Sequence, residues 1–346
     1  MKKILALLVC LFLVTNSFAQ LWTSFCDGTT NDWVVDFKYY KGDLIACGFF
    51  TTIGGVNANR IARWDGATWQ PLGTGLNNWA HSMLVYNDTL YVSGYFTSAG
   101  GTTVNHIARW DGNNWSGLGS GFNGNTYAIN EYDGELIVGG DYSIAGGDSI
   151  SGIAKWNGDS WKALGTGLSD GFPPYYNLYP HGIIEFNDEL YIGGNFTKAG
   201  GVTVNGVAKW NGTSWDSVGK GFSSDVLGFG IYNNELYAGG EFKFSDTTEV
   251  DYIAKWDGTQ WNKVGSGVNS YVHTLQVFND ELYVTGGFTR AALPFTDTLM
   301  HIAKFDGLNW NPLGKGLNYD AEPMIAFQEN LLVGGAFYKA GDFVVN

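Results

Sequence analysis

Three of the five histidines, His81, His181 and His273, each stand nine residues before a leucine that opens a recurring Leu-x-x-x-Gly segment. Imidazole exchanges a proton near neutral pH and is a frequent ligand of borderline metals. Three of them at one repeat position could form a set of bases, a metal site or a ring of polar contacts. The same offset holds Val35, Tyr127, Leu227 and Glu322 in the other repeats, so ordinary drift between repeats also accounts for a shared histidine. Aromatic residues gather nearby: Trp79 and Tyr271 lie two positions before His81 and His273, and Tyr175, Tyr176 and Tyr179 fall in the stretch 169–180 that leads into His181. The candidate ligand-binding residues are therefore Trp79, His81, Tyr127, Tyr175, Tyr176, Tyr179, His181, Tyr271, His273 and Glu322. No catalytic residue, metal set or cofactor is assigned. The Asp and Asn residues of the turns never match an Asp-x-Asp-x-Asp-Gly calcium loop. The Gly-Gly pairs do not open helices, so they make no phosphate cradle, and no Ser-His-Asp arrangement is supported.

What must position these side chains is a repeat. The Leu-Tyr-Val-x-Gly pattern recurs at 44–48, 90–94, 136–140, 190–194, 236–240, 282–286 and 331–335, at intervals of 46, 46, 54, 46, 46 and 49 residues. After each of the first six comes an aromatic, Asp or Asn, Gly, two variable residues and Trp, as in Trp64 to Trp69 and Trp210 to Trp215. Each period carries four β-prone runs, such as 182–186, 190–196, 206–210 and 215–218, divided by Asn187-Asp188, Gly200-Gly201 and Asn211-Gly212 turn signals. Four strands per period of this length make one propeller blade. The expected fold class is all-β, a seven-bladed β-propeller of four-stranded antiparallel blades. The tryptophan of each final strand is expected to fill the wedge between blades, with sugar stacking as the alternative. Turns joining the first to the second strand and the third to the fourth are nearly constant. The loops on the other face vary, and loops on a rigid scaffold carry most binding.

The order of a strand ending in Gly193-Gly194, then Trp210-Asn211, then Trp215 resembles the kelch group of propellers, which have a galactose-oxidase-like blade. The resemblance covers residues 21–346. Cys47-Gly48, Ser93-Gly94 and Thr285-Gly286 depart from the glycine pair, and the aromatic-to-Trp spacing is tighter than the kelch pattern. No cysteine–tyrosine pair maps onto the copper site of galactose oxidase. The wording Phe196-Thr197-Lys198-Ala199-Gly200-Gly201, with a leader ending Ala19-Gln20, also resembles exported propellers of Bacteroidota-type bacteria. The kelch strand order implies that residues 21–25 form the outermost strand of the last blade, closing the ring against an innermost strand near 323–327 and a second strand at 331–337. It leaves that blade without its third strand. Val345-Asn346 matches the lead-in Val104-Asn105, so a C-terminally truncated propeller is expected over 20–346.

Residues 1–19 read as a cleaved signal peptide: Lys2 and Lys3, an apolar run of about eleven residues, then small residues up to Ala19. That run is well short of the roughly 20 residues that span a bilayer, so membrane insertion is not expected. Without Lys2 and Lys3, 17 basic residues face 33 acidic ones, a formal charge of −16. Binding to a polyanion rests on basic residues, so nucleic acid is excluded as an expected partner. Cys26 and Cys47 do not amount to a disulfide framework. The expectation is a monomeric, secreted or cell-surface bacterial module that binds a glycan or protein without catalysis. The alternative is a hydrolase or oxidoreductase with its site at the mouth of the central channel.

Overall fold

The second strand of each repeat, Asp43–Gly48 in the first, is buried almost from end to end. A strand covered on both faces reads as a continuous apolar run, and Leu44-Ile45-Ala46-Cys47 is such a run. The computed structural model describes residues 7–11, 22, 25, 30–171, 178–292 and 298–344. In it, Val34–Tyr40, Asp43–Gly48, Ile61–Trp64 and Trp69–Pro71 pair antiparallel in that order as one four-stranded sheet. Five further sheets repeat this arrangement; the one holding His181 comprises Tyr179–Phe186, Glu189–Asn195, Val207–Trp210 and Trp215–Ser217. The fold is all-β and propeller-like, and no helix among the described residues is long and apolar enough to cross a membrane.

Local chemistry explains each turn. Asn87 and Asp88 join the first two strands with φ of 46° and 56°, a left-handed pair that suits a tight hairpin and that Asn and Asp tolerate. Between the third and fourth strands, Asp111 Oδ1 accepts the backbone N–H groups of Asn113 and Asn114 at 2.7 and 2.8 Å, so turn closure employs this carboxylate. The Gly-Gly turn signal between the second and third strands is a turn in the structure. Gly200 and Gly201 take φ of 58° and 84° in succession, and the chain folds there into a small hairpin of Lys198–Ala199 with Val202–Thr203. Asn77 Oδ1 ties the equivalent hairpin down by accepting from Thr97 N and Ser98 N, both at 2.9 Å.

Successive sheets are joined by the fourth-strand tryptophan, as expected. The indole N–H of Trp161 donates to Leu118 O of the preceding sheet at 3.0 Å, and Trp215 does the same to Leu164 O at 2.9 Å. Ala108, Ala154 and Ala208, at the same place in three third strands, are fully buried, so these sheets meet where a methyl group fits.

The last sheet differs from expectation. Ala321–Phe327 and Asn330–Gly335 pair as inner and second strands, and the third position is occupied by Leu7–Leu11. Leu11 faces Leu331 and Leu8 faces Gly334, the register in which Phe305 faces Leu282 and Ile302 faces Thr285. A gap was expected there because no residue after 335 matches a third strand; a strand edge with free N–H and C=O groups accepts any extended apolar segment in reach. Trp22 takes the fourth-strand role: it packs with Leu313, Leu331 and Val333, and a Cβ on Gly341 would lie 3.0 Å from its ring. Val34 and Phe37 of the first sheet pack with Phe327 and Leu332 of the last. The indole nitrogens of Trp22 and Trp69, on either side of this junction, have no partner among the described residues. Cys47 is buried and unpaired, with its thiol pKa pushed up by burial, while Cys26 lies outside the described residues.

The wedge role of the indole is measurable. Trp161→Phe keeps most of the packing but strands the Leu118 carbonyl, and is expected to lower the unfolding free energy by about 1–3 kcal/mol. Trp161→Ala empties the wedge and is expected to cost about 3–5 kcal/mol, both read by denaturant titration.

Candidate functional site

In every repeat the inner strand contains one residue too many. Val34 pairs with Gly48 and Asp36 with Cys47, so Val35 is left out of the ladder as a β-bulge. The same slip leaves out His81, Tyr127, His181, Leu227 and His273, and in the last sheet Glu322 together with Pro323. A bulge frees a side chain from the alternation of the pleat and aims it elsewhere. Here all seven bulged residues, Val35 through Glu322, line one cavity of about 440 Å³ to which each inner strand contributes. That volume lies within the range of ordinary ligand sites, roughly 300–1,000 Å³.

Two further positions per repeat build the rim above this layer. One is the residue two before the bulged one: Trp33, Trp79, Asn125, Tyr179, Asp225, Tyr271 and Asp320. The other directly follows the strand-ending glycine, and includes Phe49, Tyr95, Asp141 and Glu241. On one side the rings touch in series. Trp33 stacks on Phe49 at 6.2 Å between centroids, Phe49 meets Trp79 at 4.6 Å, and Trp79 meets Tyr95 at 5.5 Å. Tyr95 continues to Tyr127 at 5.8 Å and Tyr127 to Tyr179 at 5.0 Å. His81 and His181 each lie 5.6 Å from the Tyr127 ring. Trp79 is 41% exposed, so a ligand can reach it.

The other side is acidic. His273 Nε2 lies 4.0 Å from Glu322 Oε1, Tyr271 Oη donates to Asp320 Oδ2 at 2.5 Å, and His301 Nδ1 is 3.1 Å from Asp320 Oδ1. Burial lifts Asp225 to about 6, with the Glu241 carboxylate adding to the shift, and burial also raises Glu322. Desolvation by the surrounding protein, then repulsion from His273, holds His81 down to about 4. Desolvation, then His81 and His273, holds His181 down to about 3. Both imidazoles are therefore neutral at neutral pH. Lower in the cavity Lys38 is paired with Asp36 at 2.8 Å, and Asp36 Oδ2 also accepts Met83 N at 2.7 Å.

Five of the candidates, His81, Tyr127, His181, His273 and Glu322, thus line this one cavity; Trp79 and Tyr179 touch the lining rings of Phe49 and Tyr127, and Tyr271 is bonded to Asp320. Tyr175 and Tyr176 lie outside the described residues. Trp33, Phe49, Tyr95, Asp225, Glu241 and Asp320 were not singled out in the sequence, although they recur at the same offsets from the anchoring leucine. The site residues sit on strand ends and not in long loops, because the intervening hairpins are clamped close to the sheets. Among the described residues no group of three or more His, Cys, Asp or Glu is arranged to hold a metal ion. What the arrangement offers is a concave, neutral-to-acidic opening with aromatic faces.

No family model matches the chain. No curated protein matches it either. Among solved structures it is similar to the computationally designed Ika8 protein, with a TM-score of 0.51 and 11% identity over 90% of this chain and 95% of that one. At that identity the likeness supports the fold alone.

The depressed histidines predict acid sensitivity of a definite sign. Above about pH 6.5 both are neutral folded and unfolded, and their contribution is full. As pH falls from about 6.5 toward 4, the unfolded chain takes up protons that folded His81 and His181 refuse, and stability is lost, about 2–3 kcal/mol for each at pH 4. Asp225 works in the opposite sense, since its raised pKa favours the folded state as pH falls through about 6. Comparison with His81→Gln/His181→Gln isolates the imidazoles: between pH 7 and 4 the wild type is expected to lose at least about 3 kcal/mol more than the variant in chemical denaturation.

Proposed function

We propose that the sheets close into a seven-bladed, kelch-like propeller whose central channel opens at the bulged residues. On this reading the protein is an exported, non-catalytic binding module that takes a glycan or protein ligand at the channel mouth. Closure is supported by the packing of Val34 and Phe37 against Phe327 and Leu332, and by Trp22 in the wedge that the other sheets fill with their own tryptophans.

The observation that carries the binding reading is the aromatic series from Trp33 to Tyr179 on one side of a cavity to which every repeat contributes a bulged side chain. Rings that pack mainly against one another, with Trp79 left open, offer flat apolar area at little entropic cost on binding. Elsewhere in the repeat the same positions are nearly uniform, as in the buried alanine of each third strand. Bulged positions that differ from repeat to repeat on such a scaffold are what a recognition surface requires.

The enzymatic alternative draws on one feature, the His273–Glu322 pair at 4.0 Å with the carboxyl raised by burial, a combination able to pass a proton. Screening the chain on glycan and protein arrays tests the two together. A retained ligand is expected to bind at least 30-fold more weakly to Trp79→Ala or Tyr127→Ala, about 2 kcal/mol, as for a central aromatic anchor. Undiminished retention by both variants moves the site away from the mouth. A turnover abolished in a folded His81→Ala/His181→Ala/His273→Ala variant replaces the binding reading with the enzymatic one.

A further inference from the structure

Polar groups on the wall of the cavity divide into those already engaged and those left over. Asp36 holds Lys38 at 2.8 Å and accepts Met83 N, and the Asn130 amide donates to Ile183 O at 2.7 Å while accepting Glu131 N at 2.9 Å. His81 and His181 line the same wall, and neither imidazole has a hydrogen-bond partner among the described residues. Their nitrogens are not sealed off as the indole nitrogens of Trp22 and Trp69 are, so they stay open to the cavity. Ser82 and Thr274 add hydroxyls to the lining. Both imidazoles lie 5.6 Å from the Tyr127 ring. Trp33, Phe49 and Tyr127 supply aromatic lining, and Trp79, 4.6 Å from Phe49 and 41% exposed, carries that surface outward.

An unpartnered polar group in a half-buried wall is satisfied by water or by a ligand that brings the matching group. A neutral imidazole presents one N–H donor and one acceptor nitrogen, and a hydroxyl answers either. A charged ligand finds no free counter-charge. Lys38 is the one Lys or Arg among the residues described as lining the cavity, and Asp36 already holds it. Of the lining carboxyl groups, Asp36 is paired and burial favours the neutral form of Glu322. A planar aromatic guest is not sandwiched either. That takes about 7 Å between parallel rings, and the nearly parallel pairs Trp33 with Phe49 and Tyr179 with His181 stand at 6.2 and 6.1 Å. One open aromatic face beside unpartnered imidazoles suits a sugar ring, whose C–H face lies on the negative face of the aromatic ring while its hydroxyls point sideways. Residues from all seven inner strands line the cavity, as in a well and not a groove, so a polymer enters it by an end. We propose that the mouth binds the uncharged terminal sugar of a glycan, stacked on the faces of Phe49, Trp79 and Tyr127, with its hydroxyls bonded to His81 and His181. This rests on the binding reading above and narrows it from glycan or protein to a neutral glycan end.

The test is an array of oligosaccharides on one common linker that end in glucose, galactose, mannose or N-acetylglucosamine. Each stands beside counterparts ending in the uronic acid and in an amino sugar with a free ammonium group, and the full chain is the probe at neutral pH and about 0.15 M salt. At least one neutral terminus is expected to be retained about tenfold or more above both charged counterparts. His81→Phe/His181→Phe keeps the rings and removes the nitrogens, and is expected to weaken that retention about tenfold without lowering the unfolding midpoint. Among singly deoxygenated forms of the retained terminus, at least one is expected to lose about tenfold against the wild type and nothing further against the double variant, which marks a hydroxyl that meets an imidazole. Charged termini retained as well as neutral ones, or full retention by the double variant, overturns the proposal. Should the double variant unfold, the deoxygenated series decides with the wild type alone, and even binding across it overturns the proposal. Retention of a peptide through Trp79 with no neutral glycan retained also overturns it, while leaving the binding reading intact. Retention of nothing on glycan or protein arrays by a folded chain overturns both.

Discussion

In five successive repeats the tryptophan opening the fourth strand donates its indole N–H, at 2.9–3.1 Å, to a carbonyl just past the fourth strand of the preceding repeat. The ring fills the gap that widens outward between two twisted sheets, and the hydrogen bond sets how far apart they stand. Glycines with left-handed φ lie against the ring: a Cβ on Gly100 would come within 2.7 Å of Trp115, and one on Gly200 within 2.7 Å of Trp215. The glycine therefore serves two needs at one position, the backbone turn and the room for the indole. Every other feature of the architecture, including the convergence of inner strands, follows from repeating this contact at constant spacing.

That spacing is what turns a local irregularity into a site. A single bulge redirects one side chain. Seven bulges at the same place in seven equivalent strands direct seven side chains to one cavity, with no long loop needed to reach it. Because the scaffold contacts are made elsewhere, in the wedge tryptophans, the buried alanines and the Asn and Asp turns, the bulged and rim positions are free to differ. They do differ: Val35, His81, Tyr127, His181, Leu227, His273 and Glu322 share a backbone environment but no common chemistry. The result is a polarised mouth, aromatic where the first four repeats meet and acidic where the last three do. Burial then tunes its charge, keeping His81 and His181 neutral and raising Asp225.

Much of the scaffold was legible because its signals are local. A leucine every 46 residues, an Asn-Asp or Asn-Gly turn and a closing Trp each report on a few neighbouring residues, and repetition removes the ambiguity of any one copy. The histidine offset was legible for the same reason. Trp33, Phe49 and Tyr95 escaped notice because nothing in a linear reading says that the residue before one strand and the residue after another end side by side. The small hairpin after Gly194 was missed because its strands are two residues long, below the length at which periodicity carries information. The pairing of Leu7–Leu11 with Asn330–Gly335 was not legible in the sequence, because it depends on an edge formed by residues more than three hundred positions away.

The chain itself determined the strands, their turns, the period and the acidic balance, since each depends on residues adjacent in sequence and on simple sums. Only the tertiary structure decided that the bulged residues share one cavity and that its two halves have opposite character. Those properties are distances between repeats, and distances arise only when the sheets are packed against one another.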